Sequence, residues 1–86
     1  MQAQPRRISY KISSNDADEI YPEIAERIRM ARKRGRYSQE TLAAAAEIDR
    51  AHVGYIEQGR RNPTIATLYK ITTALGISLE EFFKDL

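Results

Sequence analysis

Between Arg50 and Asn62 the chain gathers side chains suited to recognition: Arg50, His52, Tyr55, Gln58, Arg60, Arg61 and Asn62, with the small Ala51 and Gly54 among them. A guanidinium presents a planar fork of N–H donors that can engage two acceptors at once, on a guanine edge or on a phosphate. An alanine methyl can rest on a thymine methyl. The parts that bond-breaking chemistry requires are missing. Cysteine is absent, there is a single histidine, and no Ser/His/Asp grouping, phosphate loop or metal-ligand spacing is visible. Glu80 and Glu81 are adjacent, which on a helix points them about 100° apart, and capping explains them better. The expectation is a binding protein with no enzyme activity, no metal, no cofactor and no evident small-molecule ligand.

The charge pattern says where an anionic partner would sit. Net charge is only +2, but residues 27–61 carry nine bases against four acids, whereas residues 1–26 carry three against five and residues 62–86 two against three. Positive charge is concentrated in the middle, the electrostatic footprint expected of a nucleic-acid binder. At 86 residues there is room for one compact domain, which would bury only about 60 to 65% of its unfolded surface. No apolar run approaches the ~18 residues of a membrane span, and the first residues lack the apolar centre of a secretory signal. With no cysteine to oxidise, the composition suits a soluble protein of the reducing cytoplasm.

These side chains must be held by helices. Residues 1–19 read as a tail or arm, with Pro5 and a polar Ser13-Ser14-Asn15-Asp16 run, although Ile8, Tyr10 and Ile12 alternate as a short strand pairing with another chain would. From Ile20 the spacing becomes helical: Ile20, Ile24, Ile28 and Ala31 form one stripe, Pro22 sits in the first turn and Gly35 marks the exit. Ser38 caps a short second helix through Leu42 to about Ala45, and Asp49 reads as a strong cap for a third that stops at Gly59. Thr64 caps a fourth, with Ile65, Leu68, Ile71 and Leu75 inward and Gly76 ending it. Ser78 and Glu81 form a capping-box pair for a last helix bearing Leu79, Phe82, Phe83 and Leu86. The fold class is all-α, with five helices in a domain spanning residues 20–86.

Two short helices joined by about three residues suggest a helix-turn-helix. In the run QETLAAAAEIDRAHVGYIEQ the inward positions Leu42, Ala46, Ile48, Val53 and Ile56 are apolar, and the small Ala43 stands where the helices approach most closely. This resembles the Cro and phage-repressor (Cro/C1 or XRE) family over residues 20–86, with SQETLA, IDRAHVGYIEQGRRNPTI and LYKITTALGISLEEFF matching successive blocks. The resemblance implies a lambda-repressor-like domain whose second and third helices form the motif. Within the family the central block is most similar to controller proteins of restriction-modification systems. One departure is Glu47, at a turn position that is commonly glycine; a left-handed backbone there would cost on the order of 1 kcal/mol.

If the third helix enters the major groove of double-stranded DNA, its N-terminal part meets base edges. With Val53 and Ile56 inward, Arg50, Ala51, Gly54, Tyr55 and Gln58 are expected to face outward. Arg50, Ala51, His52, Gly54 and Tyr55 are the candidate base contacts, and Arg50 is the best placed for guanine. For His52 the alternative is a surface residue, and for Tyr55 an aromatic packed along its helix. The resemblance places Gln39 on a phosphate at a helix N-terminus, and Arg61 and Asn62 beside the recognition helix. Ser38, Arg34, Arg36, Gln58 and Arg60 complete the candidate backbone contacts; charged residues at an exposed helix end explain Arg34 and Arg36 without a function, and a solvated turn is the alternative for Arg60, Arg61 and Asn62. The family pattern also pairs Arg32 with Glu57 as a structural ion pair.

One such helix covers few base pairs, so a homodimer on a two-fold operator is expected. Its interface is assigned to Leu79, Phe82, Phe83 and Leu86, which outnumber what one short helix can bury, joined by Tyr69 of the fourth helix; the alternative is that these residues close the bottom of the domain, and Ile8, Tyr10 and Ile12 offer a rival contact. A regulator of this kind implies RNA polymerase as a further partner, with control by concentration and dimerisation. The competing reading is an antitoxin or a protein-binding adaptor built on the same helices, using the Phe82-Phe83 end or the tail.

Overall fold

The computed structural model describes residues 18–86. The reading of Ile8, Tyr10 and Ile12 lies outside the described residues. Five α-helices make up the fold among these: α1 Ile20–Arg34, α2 Gln39–Ala46, α3 Arg50–Glu57, α4 Ile65–Leu75 and α5 Leu79–Phe83. None is long and apolar enough to cross a membrane.

Local chemistry starts most of these helices. Ser38 Oγ accepts from the Thr41 N–H at 2.9 Å while Thr41 Oγ1 accepts from the Ser38 N–H at 2.9 Å, a reciprocal capping box that fixes α2. Thr64 caps α4 by accepting from the Thr67 N–H at 3.0 Å, and Ser78 caps α5 by accepting from the Glu81 N–H at 3.0 Å. Asp49 behaves otherwise. It has the extended backbone of a cap, but its side chain makes no capping hydrogen bond, and α3 begins instead on its carbonyl, which accepts from the His52 and Val53 N–H groups at 3.0 and 3.2 Å. Its exposed carboxylate contributes charge at the positive end of α3.

The exit from α1 also differs from expectation. Gly35 keeps right-handed geometry (φ −83°), and the left-handed residue is Arg36 (φ 64°). Space explains the glycine: a Cβ at position 35 would stand 3.2 Å from Cδ2 of Tyr37. That ring packs on the core, and its hydroxyl donates to the Ala74 carbonyl at 3.1 Å, tying the α1–α2 turn to the end of α4.

The core joins Ile24 and Ile28 of α1, Leu42, Ala43 and Ala46 of α2, Val53 and Ile56 of α3, Leu68 and Ile71 of α4, and Phe82 of α5. Helix α2 is central, with its most extensive contacts to α3 and α4. Two expected stripe positions fall outside: Ile20 is 40% exposed and Ile65 67%. Both lie in the first turn of their helices, where no element among the described residues covers them. Phe82 is the opposite case. Assigned to an intermolecular face, it is buried at 4% exposure, with Phe83 edge-on to it at 5.3 Å. Its ring joins the core, and Arg27 of α1 reaches over α5, donating to the carbonyls of Phe82 at 2.8 Å and Lys84 at 2.7 Å.

Candidate nucleic-acid interface

The turn between α2 and α3 consists of Glu47, Ile48 and Asp49. Glu47 is left-handed (φ 59°, ψ 46°), and the turn closes through N–H donation from Glu47 to the Ala44 carbonyl at 3.2 Å and from Ile48 to the Ala43 carbonyl at 3.0 Å. A non-glycine residue in this region costs about 1 kcal/mol or more; the cost is tolerated because Ala43 and Ala46 on one side and Val53 and Ile56 on the other close into one core.

Burial sorts the eight residues of α3 into two faces. Val53 and Ile56 are fully inside, whereas Arg50, Ala51 and Tyr55 are exposed, and Gln58 just beyond the helix is exposed as well. Gly54, expected on the outer face, is buried. A Cβ there would lie 3.7 Å from both Nη1 of Arg50 and Oε1 of Gln39, so the glycine is roofed by two polar side chains that sequence spacing could not reveal. The structure brings Ala51, His52, Tyr55 and Arg61 together around a shallow concavity of about 480 Å³, closed by Ile48 and Asp49. His52 is half-buried at its edge.

The orientation of α3 is fixed from behind. Arg32 donates from Nε to Glu57 Oε2 at 2.6 Å and from Nη2 to Oε1 at 3.0 Å, a bidentate pair whose side chains are 12% and 3% exposed. Two further bonds extend it: Arg32 Nη1 donates to the Tyr37 carbonyl at 2.9 Å, and Gln39 Nε2 donates to Glu57 Oε1 at 3.0 Å. Gln39, named as a phosphate ligand, is thus half-buried and tied to α3. Its place at the first position of α2, beside the exposed Ser38, leaves the helix N-terminus open.

Beyond α3, Gly59 (φ 76°) turns the chain. Arg60, Arg61 and Asn62 are exposed, and the guanidinium carbons of Arg60 and Arg61 lie 5.0 and 5.8 Å from the centroid of the Tyr55 ring. Of the remaining basic candidates, Arg36 is exposed in the α1–α2 turn, while Arg34 borders a groove of about 370 Å³ shared with Met30, Ile77, Glu81 and Phe82. The structure does not bring Arg34 into the α3 group. Arg29 is occupied locally by Glu26, whose carboxyl its hydrogen bond holds below the usual carboxylate range. Tyr37 was missed by sequence reasoning. The signal available was an aromatic residue directly before the Ser38 cap, the position a hydrophobic staple uses.

Two short helices sharing one small-residue contact, the second presenting Arg50 outward beside the exposed Arg60 and Arg61 and locked from behind by a bidentate ion pair, define a helix-turn-helix domain. The chain belongs to the helix-turn-helix family of Cro/C1 (XRE) type, a family of DNA-binding transcription regulators, which it matches over residues 28–82. It is 45% identical over 49 residues to control protein C.MunI of a Mycoplasma species, an alignment covering 57% of this chain and 66% of that protein, just under two thirds of it. Control protein C.SmaI of Serratia marcescens is 35% identical over 68 residues, covering 74% of this chain and 81% of the relative. Among solved structures, the restriction-modification controller protein C.AhdI of Aeromonas hydrophila superposes with a TM-score of 0.72 at 37% identity, covering 76% of this chain and 98% of that one. The wild-type controller protein C.Esp1396I gives 0.73 at 31% identity over 76% of this chain and 86% of that one.

Proposed function

We propose that this chain is a transcription regulator of the controller-protein kind, which binds a two-fold symmetric operator in double-stranded DNA as a homodimer. The observation that carries this reading is the pairing of the buried Arg32–Glu57 lock with an open outer face on the same helix. A rigidly held helix with an arginine at its start is the geometry that major-groove readout needs, because base discrimination requires donors placed before contact. Arg50 addresses guanine, Ala51 contacts a thymine methyl, and His52 borders the same surface. Backbone phosphates are taken by the N-terminus of α2 at Ser38 and Gln39, by Arg36, and by Gln58, Arg60, Arg61 and Asn62 beyond α3.

The homodimer contact is drawn on the face carrying Ile65 and Tyr69, at 67% and 59% exposure the most exposed large apolar side chains among the described residues, together with the half-buried Leu79, Phe83 and Leu86. Residues four apart on a helix share a face, so Ile65 and Tyr69 form one patch. Phe82 supports that surface from inside. Two-fold symmetry would set the recognition helices about 34 to 36 Å apart, in successive major grooves. Regulator action through RNA polymerase follows from the same reading.

Footprinting on DNA upstream of the protein's own coding sequence, with sedimentation at micromolar concentration, tests the proposal. Two protected half-sites related by symmetry and a dimer that Tyr69→Glu dissociates are expected. A monomer that protects one asymmetric half-site would overturn it.

A further inference from the structure

Tyr55 occupies a position on α3 where a side chain can reach either forward to the bases or along the helix to the turn that follows; it borders the concavity with Ala51 and His52, and both of its cation contacts go to the turn. Its carbonyl accepts from the Arg60 N–H at 2.8 Å and from the Arg61 N–H at 3.3 Å, while Gly59 N–H donates to the Ile56 carbonyl at 3.0 Å. With Gly59 left-handed, this is a Schellman closure of the helix on Tyr55. The same residue receives both arginine side chains on its ring, at 5.0 and 5.8 Å from the centroid. Backbone and side chain of one residue therefore organise the two cations.

Two adjacent guanidiniums repel each other, and free arginines in a surface turn sample many rotamers. An aromatic face offsets both problems, since its negative quadrupole attracts cations and restricts their planes. A guanidinium held over a ring by its charge spends few of its five N–H donors there and keeps the rest for acceptors. Arg60 is held further by a long donation from Nη1 to Gln58 Oε1 at 3.4 Å. Both arginines remain exposed, so the free N–H edges are available to an anionic ligand beside the outer face of α3.

We infer that Tyr55 is a positioning residue that presets Arg60 and Arg61 as a paired phosphate clamp at the end of the recognition helix, and that it does not read a base. The inference rests on the DNA-binding reading above. It assigns Tyr55 to affinity and its salt dependence, and leaves sequence preference to the start of α3.

The test uses the full chain and a labelled pool of random-sequence duplexes about two helical turns long, titrated at several salt concentrations with melting temperature followed in parallel. Tyr55→Leu is expected to weaken binding about five- to thirty-fold and to flatten the salt slope by about one unit, as lost phosphate contacts would. Tyr55→Phe keeps the ring and should bind as the wild type does. In an Arg60→Gln, Arg61→Gln background the same Tyr55→Leu change should have no further effect, and the bases enriched in the bound fraction should be unchanged throughout. Enrichment that shifts with Tyr55→Leu, a loss that persists without the two arginines, or a Tyr55→Phe variant as weak as Tyr55→Leu would each overturn the clamp while leaving the DNA-binding reading standing. Wild-type protein with no salt-dependent affinity for the pool would overturn that reading, and the clamp with it.

Discussion

On its inner face α3 sets Val53 and Ile56 at 0% and 1% exposure and ends on Glu57, whose carboxylate receives three N–H groups from Arg32 and Gln39. On its outer face, across the same turns of helix, Arg50, Ala51 and Tyr55 stand at the surface, and the two polar side chains nearest Gly54 merely lie over it. The inner face is saturated: each apolar group has a neighbour, and the carboxylate has its partners. The outer face keeps its donors free. A short helix can carry both because the inner face alone fixes its position, so the outer residues can change without cost to the fold.

The sharpest way to break this contrast is to unlock the inner face. Glu57→Ala leaves Arg32 with no counter-charge in a site only 12% exposed, and should destabilise the domain by about 3 to 5 kcal/mol. Thermal melting should drop by roughly 4 to 8 °C for each kcal/mol lost. A loss under about 1 kcal/mol would mean that the pair behaves as a surface contact.

Arg50→Ala should do the reverse, costing about 1 to 3 kcal/mol of preference for the correct base and leaving the melting curve in place. Relative affinities across operator variants measure it. If they are unchanged, base reading lies elsewhere on the outer face.

A third change adjusts the turn that joins the two helices. Glu47→Gly relieves a left-handed side chain and should raise stability by about 0.5 to 1 kcal/mol after the greater entropy of glycine in the unfolded chain is counted. Calorimetry of the two proteins decides it, and a lower melting point would show that the Glu47 side chain contributes more than its backbone costs.

The smallest expected effect lies away from α3. Arg29 holds the Glu26 carboxyl below its usual value, so the pair stabilises at neutral pH and that contribution is lost as pH falls through the lowered value. Both side chains are well exposed, and Glu26→Gln should leave melting at neutral pH unchanged within measurement while slightly flattening the acid limb.

Helix identity and most limits were legible because they rest on local rules. Ser38, Thr64 and Ser78 cap where hydroxyls before apolar runs should, and Leu42, Ala43, Ala46, Val53 and Ile56 keep the inward spacing. What escaped depends on contacts distant in sequence. Gly54 is buried with Gln39 of α2 folded over it, Tyr37 is anchored on the Ala74 carbonyl at the end of α4, and Phe82 is internal where α5 closes on the core built by α1 and α4. The candidate site was legible in composition but not in division of labour: spacing put Arg50 and Tyr55 on one face, and only the turn geometry at Gly59 separates their contacts.

The two hydrogen bonds from Arg27 to the end of α5 carry a consequence for how the molecule opens. A helix of five residues, Leu79–Phe83, is far too short to persist in isolation. Its order is borrowed from the core that takes in Phe82, from α4 on which it packs, and from α1, whose Arg27 guanidinium donates to the carbonyls of Phe82 and Lys84. Amide hydrogens of α5 should therefore exchange with solvent only when the core around Phe82 opens, in one cooperative unit with the helices that hold it. The last helix would thus report on the opening of the whole core and not on its own length.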